Sequence, residues 1–97
     1  MAKFVTLYKL TDQGVRDIKS APDRVKQAAA AWEAMGGKLL GIYSTMGPYD
    51  YVAISEADDD ETAAAFSLAL GSQGNATTLT IRAFDMEEFG QIISKIP

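Results

Sequence analysis

The stretch Gly47-Pro48-Tyr49-Asp50 joins two segments with strand-like sequence, residues 38–45 before it and residues 51–56 after it. Glycine adopts backbone angles that other residues avoid, and proline fixes its own φ, so these four residues favour a tight turn. The stretch therefore predicts the bend of a central β-hairpin. Because Tyr49 and Asp50 end this bend, we expect a phenol and a carboxylate side by side at one end of a sheet.

Two further segments alternate in the manner of strands. They are residues 3–9 and residues 75–84, and the second has the most regular alternation in the chain. Together with the hairpin, they predict a four-stranded sheet with two different faces. We expect the helices to cover the aliphatic face, formed by Val5, Leu7, Leu40, Ile42, Val52, Ile54, Leu79 and Ile81. The opposite face would then carry Phe4, Thr6, Tyr8, Tyr43, Tyr51, Ala53, Thr80, Arg82 and Phe84.

Three segments carry the start signals of helices. Ser20-Ala21-Pro22-Asp23 provides an N-cap hydroxyl, a first-turn proline and an acidic capping residue. Residues 58–61 place carboxylates at the positive end of a second helix. Asp85 and Glu88 make a capping box for a terminal helix. We expect the apolar side chains of this last helix to point inward, namely Phe89, Ile92, Ile93 and Ile96.

The order of these elements is βαββαβ followed by a C-terminal helix. Strands and helices that follow one another in this order are typical of a ferredoxin-like arrangement, in which helices pack on one face of a sheet. The sequence therefore predicts a single α+β domain over residues 1–97 with an antiparallel four-stranded sheet.

The composition limits the chemistry that this chain can perform. None of its 97 residues is a cysteine or a histidine, so thiolate metal sites, cysteine nucleophiles and the usual general base are absent. We therefore expect no metal and no cofactor, and haem is disfavoured because a proximal histidine is missing. Any catalysis would depend on Tyr, Asp, Glu, Lys, Arg, Ser or Thr side chains, or on a borrowed cofactor.

Charge and hydropathy exclude two classes of partner. The net charge of −4 opposes nucleic-acid binding, which depends on Lys and Arg contacts with phosphate. The longest uninterrupted apolar run, residues 28–32, is far shorter than the roughly 20 residues that span a bilayer. The sequence goes directly into a strand pattern, without a signal-peptide core. We therefore expect a cytoplasmic protein that binds neither nucleic acid nor membrane.

The aromatic face of the predicted sheet would be unusually apolar for a monomer. Five large aromatic side chains would lie on it without a covering layer. Two sheets that meet face to face would cover these side chains. We therefore expect a homodimer or a higher homo-oligomer.

Tyr49 and Asp50 form the first candidate site. As turn residues, Asp50 would bond to backbone N–H groups and Tyr49 would pack on the end of the sheet. As catalytic or ligand-binding residues, Asp50 would act as a general base or anchor a cationic or hydroxylated ligand, and Tyr49 would donate a hydrogen bond. The turn role is favoured, since aspartate is common in turns.

Tyr8, Tyr43, Tyr51 and Arg82 form the second candidate site, since strict alternation places them on one face. They would fill a dimer interface, where tyrosine and arginine are enriched. Alternatively, they would line a cavity in which the phenols orient a flat, partly polar ligand and Arg82 pairs with its carboxylate or enolate. An arginine on an apolar face needs a partner, which Asp50, Asp12 or a carboxylate from a second subunit could provide. The expected ligand is a small aromatic or acidic metabolite.

The turn and its surroundings resemble the GYD domain family, which is named for a Gly-x-Tyr-Asp type signature. The resemblance covers essentially the whole chain. It rests on Gly47-Pro48-Tyr49-Asp50 with Tyr51-Val52-Ala53-Ile54, residues 4–9 with residues 11–14, Gly36-Gly37-Lys38, and residues 80–84. It implies a ferredoxin-like fold that forms a dimeric α/β barrel in bacterial and archaeal proteins. It implies little about function, because the family is largely uncharacterised.

Three functions fit these observations. The preferred one is a small dimeric binding or regulatory module, with a small-molecule ligand where the aromatic face meets Tyr49 and Asp50. The second is an enzyme similar to the cofactor-independent monooxygenases and isomerases of related fold, with Asp50 or a tyrosine as the base; this rests on fold alone. The third is a structural oligomer without a ligand.

Overall fold

One antiparallel sheet and four α-helices make up the structure, a computed structural model that describes residues 1–97. The strands are β1 (Ala2–Leu10), β2 (Lys38–Ser44), β3 (Tyr51–Ala57) and β4 (Ala76–Ala83). The helices are α1 (Asp12–Arg16), α2 (Ala21–Ala34), α3 (Asp60–Gln73) and α4 (Met86–Ile93), with a 3₁₀ turn at Ile18–Ser20. The strand order is β2-β3-β1-β4, and every neighbouring pair is antiparallel. The predicted ferredoxin-like α+β fold is confirmed.

β2 and β3 form the predicted hairpin, with its turn at residues 45–50. The N–H of Thr45 donates to the carbonyl of Asp50 at 2.9 Å, and the Thr45 hydroxyl donates to the carbonyl of Tyr49 at 2.7 Å. Gly47 has a φ of 111°, in the region that disfavours side chains. The turn therefore depends on the glycine that begins the GYD-type motif.

The helices cover the aromatic and hydroxyl-bearing face of the sheet, so the predicted assignment of the two faces is wrong. Phe4 and Thr6 of β1 and Ala53 and Ser55 of β3 are only 3–8% exposed. Trp32 of α2 belongs to the same buried cluster as Phe4. The helices thus contribute the large side chain of Trp32 to this interior, whereas Thr6, Ala53 and Ser55 on the strands are small. The aliphatic residues lie on the other side.

That other side, termed the open face, is left uncovered by the chain. It consists of Val5, Leu7, Val52, Ile54, Leu79 and Ile81, which pair across three strands. Ile54, Leu79 and Ile81 are 42%, 47% and 46% exposed. The apolar surface that calls for a second layer is thus aliphatic and not aromatic.

A β-bulge in β2 changes which of its side chains face the helices. The register of β2 against β3 shifts at Leu40, which is the extra residue. Beyond the bulge, Ile42 faces the helices, whereas Tyr43 lies opposite Val52 on the open face and is 65% exposed. Strict alternation predicts Tyr43 and Tyr51 on one face. The bulge makes that prediction wrong, because a slip of one residue turns a side chain to the other face.

Two of the three predicted helix starts have the expected capping bonds. Asp59 accepts a backbone N–H at the start of α3, and Asp85 and Glu88 form the capping box of α4. Ser20 precedes α2, but its hydroxyl makes no capping bond and donates to Asp17 instead. The 3₁₀ turn runs directly into α2, so Ser20 already has helical backbone angles and cannot cap.

α4 has its apolar side chains uncovered, so the predicted inward packing is wrong. The Nζ atom of Lys3 holds the first turn of this helix, at 3.4 Å from Asp85 and 3.1 Å from Glu88. Past that turn, between 38% and 66% of the residue surface is exposed at Phe89, Ile92, Ile93 and Ile96. None of the helices combines the length and the apolar character that crossing a membrane requires.

Candidate ligand-binding cavity

A cavity of about 320 Å³ lies between the helix-covered face of the sheet and the helices α2 and α3. Exposed residues of both helices line it, among them Gln27 of α2 and Gln73 of α3, which places its mouth between the two helices. The alanine run of α2 makes room for it, since Ala28 and Ala29 face the space with single methyl groups. Its volume is at the lower end of the range typical of small-molecule sites.

Three hydroxyl groups, termed the hydroxyl row, cross the lining of the cavity. The Oγ1 atom of Thr6 on β1 donates to Oγ1 of Thr80 on β4 at 3.5 Å. The Oγ atom of Ser67 on α3 lies 3.0 Å from the same Thr80 atom. Ser55 on β3 adds a fourth hydroxyl-bearing side chain to the lining. The cavity thus offers polar contacts at a few positions within a mostly apolar surface.

Aromatic rings form the apolar walls. The rings of Trp32 and Phe66 meet at a centroid distance of 5.1 Å and an angle of 56°. Phe4 lies in the same lining, on the sheet side. Flat apolar molecules pack well against such rings, because aromatic pairs prefer offset or tilted contacts at these distances.

Tyr8 and Tyr51 bring two phenols to the cavity, at the end of the sheet where the turn of residues 45–50 lies. Their rings meet edge to face, with centroids 6.4 Å apart and an angle of 70°. Burial raises the pKa of the Tyr8 phenol, and the neighbouring Thr6 hydroxyl acts in the opposite direction. Tyr8 therefore stays protonated at neutral pH and keeps a hydrogen to donate.

Tyr49 and Asp50 lie beside this end of the sheet but do not line the cavity. The Oδ2 atom of Asp50 accepts a hydrogen bond from the N–H of Leu10. The backbone carbonyl of Tyr49 accepts from the Thr45 hydroxyl, within the turn itself. These contacts agree with the turn role of both residues.

Arg82 lies at the opposite end of the sheet from Asp50, so these two residues do not pair. Its Nε atom is 3.3 Å from a carboxylate oxygen of Asp60 at the start of α3. Its guanidinium carbon lies 4.7 Å from the ring centre of Phe84 and 5.7 Å from that of Phe4. Asp50, one of the candidate partners, is out of reach because residue 82 is opposite residue 4 of β1, whereas Asp50 bonds to the other end of that strand.

Of the predicted ligand-binding residues, the structure brings Tyr8 and Tyr51 to the cavity. The hydroxyl row and Ser55 are absent from the predicted set. The sequence does carry a signal for Thr6 and Thr80, since alternation along their strands places both on the predicted face that also holds Phe4 and Tyr8. Alternation does not show which face the helices cover, so it does not show that these two hydroxyls lie beneath the helices.

Comparison with known proteins agrees with this fold. The chain matches the family model of the GYD domain over residues 4–93. It is 34% identical over 89 residues to a Thermus thermophilus protein named "Glutamine synthetase and cystathionine beta-lyase binding protein", and the match covers 91% of this chain and 94% of that protein. The crystal structure of the Thermus thermophilus protein TTHA0845 is similar in fold, with a TM-score of 0.55, 24% identity and coverage of 88% of this chain and 95% of that one. The chain therefore belongs to the GYD domain family.

Proposed function

We propose that this chain is a cytoplasmic, dimeric regulatory module that binds a small molecule in the cavity between its sheet and helices. The observation that carries the proposal is that the cavity lies where a filled core is expected. Only 10 of the 97 residues are buried, and no large side chain is completely buried. A ligand in this space would cover apolar wall surface, at about 25 cal/mol for each Å² removed from water.

Two of the predicted site residues keep a direct role in this proposal. Tyr8 and Tyr51 would contact the ligand from the cavity lining. Tyr49 and Asp50 would act indirectly, because their turn bonds to the strand end that carries Tyr8. Arg82 lies outside the cavity and is not part of the proposed site.

The test is thermal denaturation of the protein in a panel of aromatic acids, quinones and small carbonyl compounds. A ligand present at 100 times its Kd stabilises a fold by about 2.7 kcal/mol, which is easily measured. We expect at least one compound to raise the Tm of the native chain and to leave an Ala28→Leu variant unchanged, since leucine there would fill the cavity. Ala30→Leu, on the exposed side of α2, is the matched control and should still respond. A panel without any such compound would refute the cavity as a ligand site.

A second copy of the chain is the proposed cover of the open face. An uncovered aliphatic surface across three strands is unusual for a monomer, and twofold pairing of one surface with itself is the commonest way to cover it. Opposite charges lie next to each other near its edge, since Glu56 of β3 pairs with Lys3 on one side and Lys38 on the other. Light scattering at micromolar concentration should give the mass of a dimer, and a monomer mass would contradict this part.

The regulatory part of the proposal rests on the Thermus thermophilus relative, which is named as a binding protein for two enzymes. We propose that this chain also acts by binding an enzyme, and that the cavity ligand adjusts the affinity. Sedimentation of the chain with purified Thermus thermophilus glutamine synthetase and cystathionine β-lyase tests the first step. If the chain binds neither enzyme, the proposed regulatory role is contradicted. The proposed ligand site is tested separately by thermal denaturation.

Catalysis is left out of the proposal for a structural reason. The predicted base, Asp50, directs Oδ2 to the N–H of Leu10, and its side chain does not line the cavity. No cluster of acidic side chains that could hold a metal ion is formed. The hydroxyl-lined cavity is therefore proposed for binding.

A further inference from the structure

We infer that the cavity takes an uncharged, flat molecule with a carbonyl-type oxygen, and that this oxygen binds at the hydroxyl row of Thr6, Thr80 and Ser67. The inference rests on the proposed function, namely that the cavity binds a ligand, and it defines the chemical class of that ligand. Of the small aromatic or acidic metabolites that the sequence predicts, it selects the aromatic class without an acid group.

The charges around the cavity argue against an ionised ligand. Arg24 is the one charged residue in the lining. Its Nη1 atom donates to the carbonyl of Asp17 at 2.7 Å and to the hydroxyl of Ser20 at 2.6 Å, and its Nη2 atom donates to the carbonyl of Gly14 at 3.0 Å. Arg24 thus ties α1 and the 3₁₀ turn to α2, and its charge is already opposed by the Asp17 carboxylate, whose Oδ2 atom lies 3.7 Å from Nη1. A carboxylate in the cavity would lose its hydration without gaining a free counter-charge.

The hydroxyl row leaves one hydrogen for an acceptor on the ligand. Three hydroxyl groups carry three hydrogens, and two hydrogen bonds join them. Thr6 donates its hydrogen to Thr80, and one of Thr80 and Ser67 donates to the other. The remaining hydrogen, on either Thr80 or Ser67, can be donated to a carbonyl oxygen without breaking the row.

The shape of the ligand follows from the walls and the volume. Trp32 and Phe66 present aromatic rings, and α2 presents methyl groups, so most of the ligand surface would meet apolar atoms. A space of about 320 Å³ suits a molecule of roughly two fused rings with one or two substituents, at the small end of ligand sites. Lactones and quinones of that size combine a flat apolar body with a carbonyl oxygen.

The test compares three probes that share a flat two-ring body by titration calorimetry: coumarin, coumarin-3-carboxylate and naphthalene. We expect coumarin to bind roughly 2- to 10-fold more tightly than naphthalene, which lacks the oxygen. We expect coumarin-3-carboxylate, which is ionised at neutral pH, to bind at least about 10-fold more weakly than coumarin. Equal or tighter binding of the carboxylate would overturn the inference and leave the proposed function standing.

Two variants locate the oxygen. Thr80→Val keeps the shape of the side chain and removes its hydroxyl, and Ser67→Ala removes the other candidate donor. In whichever variant lacks the donating hydroxyl, coumarin should bind no better than naphthalene does, while naphthalene affinity stays unchanged. Thr77→Val, exposed on the other face of β4, is the matched control and should bind coumarin normally. Ser67→Ala gives a second measurement should Thr80→Val fold poorly.

Unchanged coumarin affinity in both hydroxyl variants would overturn the role of the row. Absence of binding by all three probes would also overturn the inference. In that case, a different compound from the thermal panel that responds in the native chain and not in Ala28→Leu would still support the proposed function. The two failures are therefore distinguishable.

Discussion

The carboxylate of Asp50 accepts a 2.7 Å hydrogen bond from the backbone N–H of Leu10, a residue 40 positions earlier in the chain. The N–H of Asp50 donates in turn to the carbonyl of Tyr8 at 2.8 Å. These two bonds fasten the hairpin turn to the end of β1. Asp50 of the family motif thus supports the strand end that presents a phenol to the cavity.

Removal of this carboxylate should destabilise the fold. Asp50→Ala leaves the half-buried N–H of Leu10 without an acceptor, and we expect a loss of about 1–3 kcal/mol in the free energy of unfolding. Asp50→Asn retains an acceptor oxygen and should lose less. Asp58→Ala, at an exposed acidic position, is the control and should change stability by no more than about 0.5 kcal/mol. Urea denaturation measures all three, and equal losses for Asp50→Ala and Asp58→Ala would argue against this role of the carboxylate.

Gly37 and Gly71 should respond in opposite ways to alanine. A Cβ atom at Gly37 would collide with the ring of Trp32, whose indole N–H is buried without an acceptor. Because the ring must shift, Gly37→Ala should cost about 1–3 kcal/mol. A Cβ at Gly71 meets nothing within 4 Å, so Gly71→Ala should stabilise α3 by about 0.5–1 kcal/mol.

The clash can be separated from general backbone effects by a double substitution. In a Trp32→Leu background, Gly37→Ala should cost clearly less than it does alone, since the ring that it meets is gone. Thermal denaturation of the four proteins gives the coupling. Strict additivity would show that the two residues do not interfere.

The attachment of α4 should depend on pH. Backbone N–H groups at the helix start lower the pKa of Asp85 and of Glu88, and the Lys3 ammonium lowers both further. Stability from a lowered carboxyl pKa is present above the unfolded-state pKa and is lost as the pH falls through the folded value. Hydrogen bonds with Glu88 and Asp85 raise the pKa of Lys3. The stability that Lys3 contributes is therefore lost as the pH rises through that raised value. The helix start should therefore loosen below about pH 4.

Circular dichroism during acid titration measures this loosening. Glu88→Gln should remove most of the acid-dependent step, since it eliminates one carboxylate of the capping box. Glu87→Gln, the neighbouring exposed glutamate, should retain the step. Identical titrations for the two variants would contradict the assignment.

Tyr8 should ionise late in an alkaline titration. Burial raises the pKa of its phenol. A raised phenol pKa supplies stability below the unfolded-state value, and this stability is lost as the pH rises through the folded value. The absorbance of phenolate should show a late phase that Tyr8→Phe abolishes and Tyr43→Phe, at an exposed position of β2, leaves intact. A late phase that survives Tyr8→Phe would place the buried phenol elsewhere.

A lysine in the middle of the open face should separate the proposed dimer. Ile54→Lys would bury an ammonium group without a partner, which weakens association by at least about 100-fold. Glu61→Lys introduces a lysine at an exposed position on α3 and should not affect the mass. Light scattering across a dilution series distinguishes the two, and an unchanged dimer in Ile54→Lys would move the interface away from this face.

The element order follows from local patterns, whereas the choice of covered face does not. Alternation divides each strand into two sets of side chains, and this division holds in β1, β3 and β4. Which set faces the helices depends on how much volume the helices bring. Trp32 of α2 belongs to one buried cluster with Phe4 and Ala57 of the sheet, and Ala53 and Ser55 are buried on the same face, so a face with small side chains is the covered one. Strand patterns by themselves do not carry that information.

The candidate site is predictable only in part, for two reasons. The bulge at Leu40 shifts the pairing of β2, and nothing in the alternation of residues 38–45 indicates an extra residue. The partner of Arg82 is Asp60, a helix-start residue whose nearness depends on how α3 lies against β4. Tyr8 and Tyr51 reach the cavity lining together, as alternation places them, because both strands that carry them pair in a regular register.

The bulge also has an evolutionary consequence. In this chain Ser44 is opposite Tyr51, and six residues form the turn between them. Consider a relative that has one residue fewer before Asp50 and the same six-residue turn. Its β2 would shift by one position against β3, and the residue equivalent to Leu40 would pair instead of bulging. The residue equivalent to Tyr43 would then stand beside Tyr51 in the cavity, and that of Ile42 would leave it. A deletion in a surface turn would thereby change a hydrocarbon lining into a phenolic one, so the chemistry of this cavity can diverge among relatives without any substitution inside it.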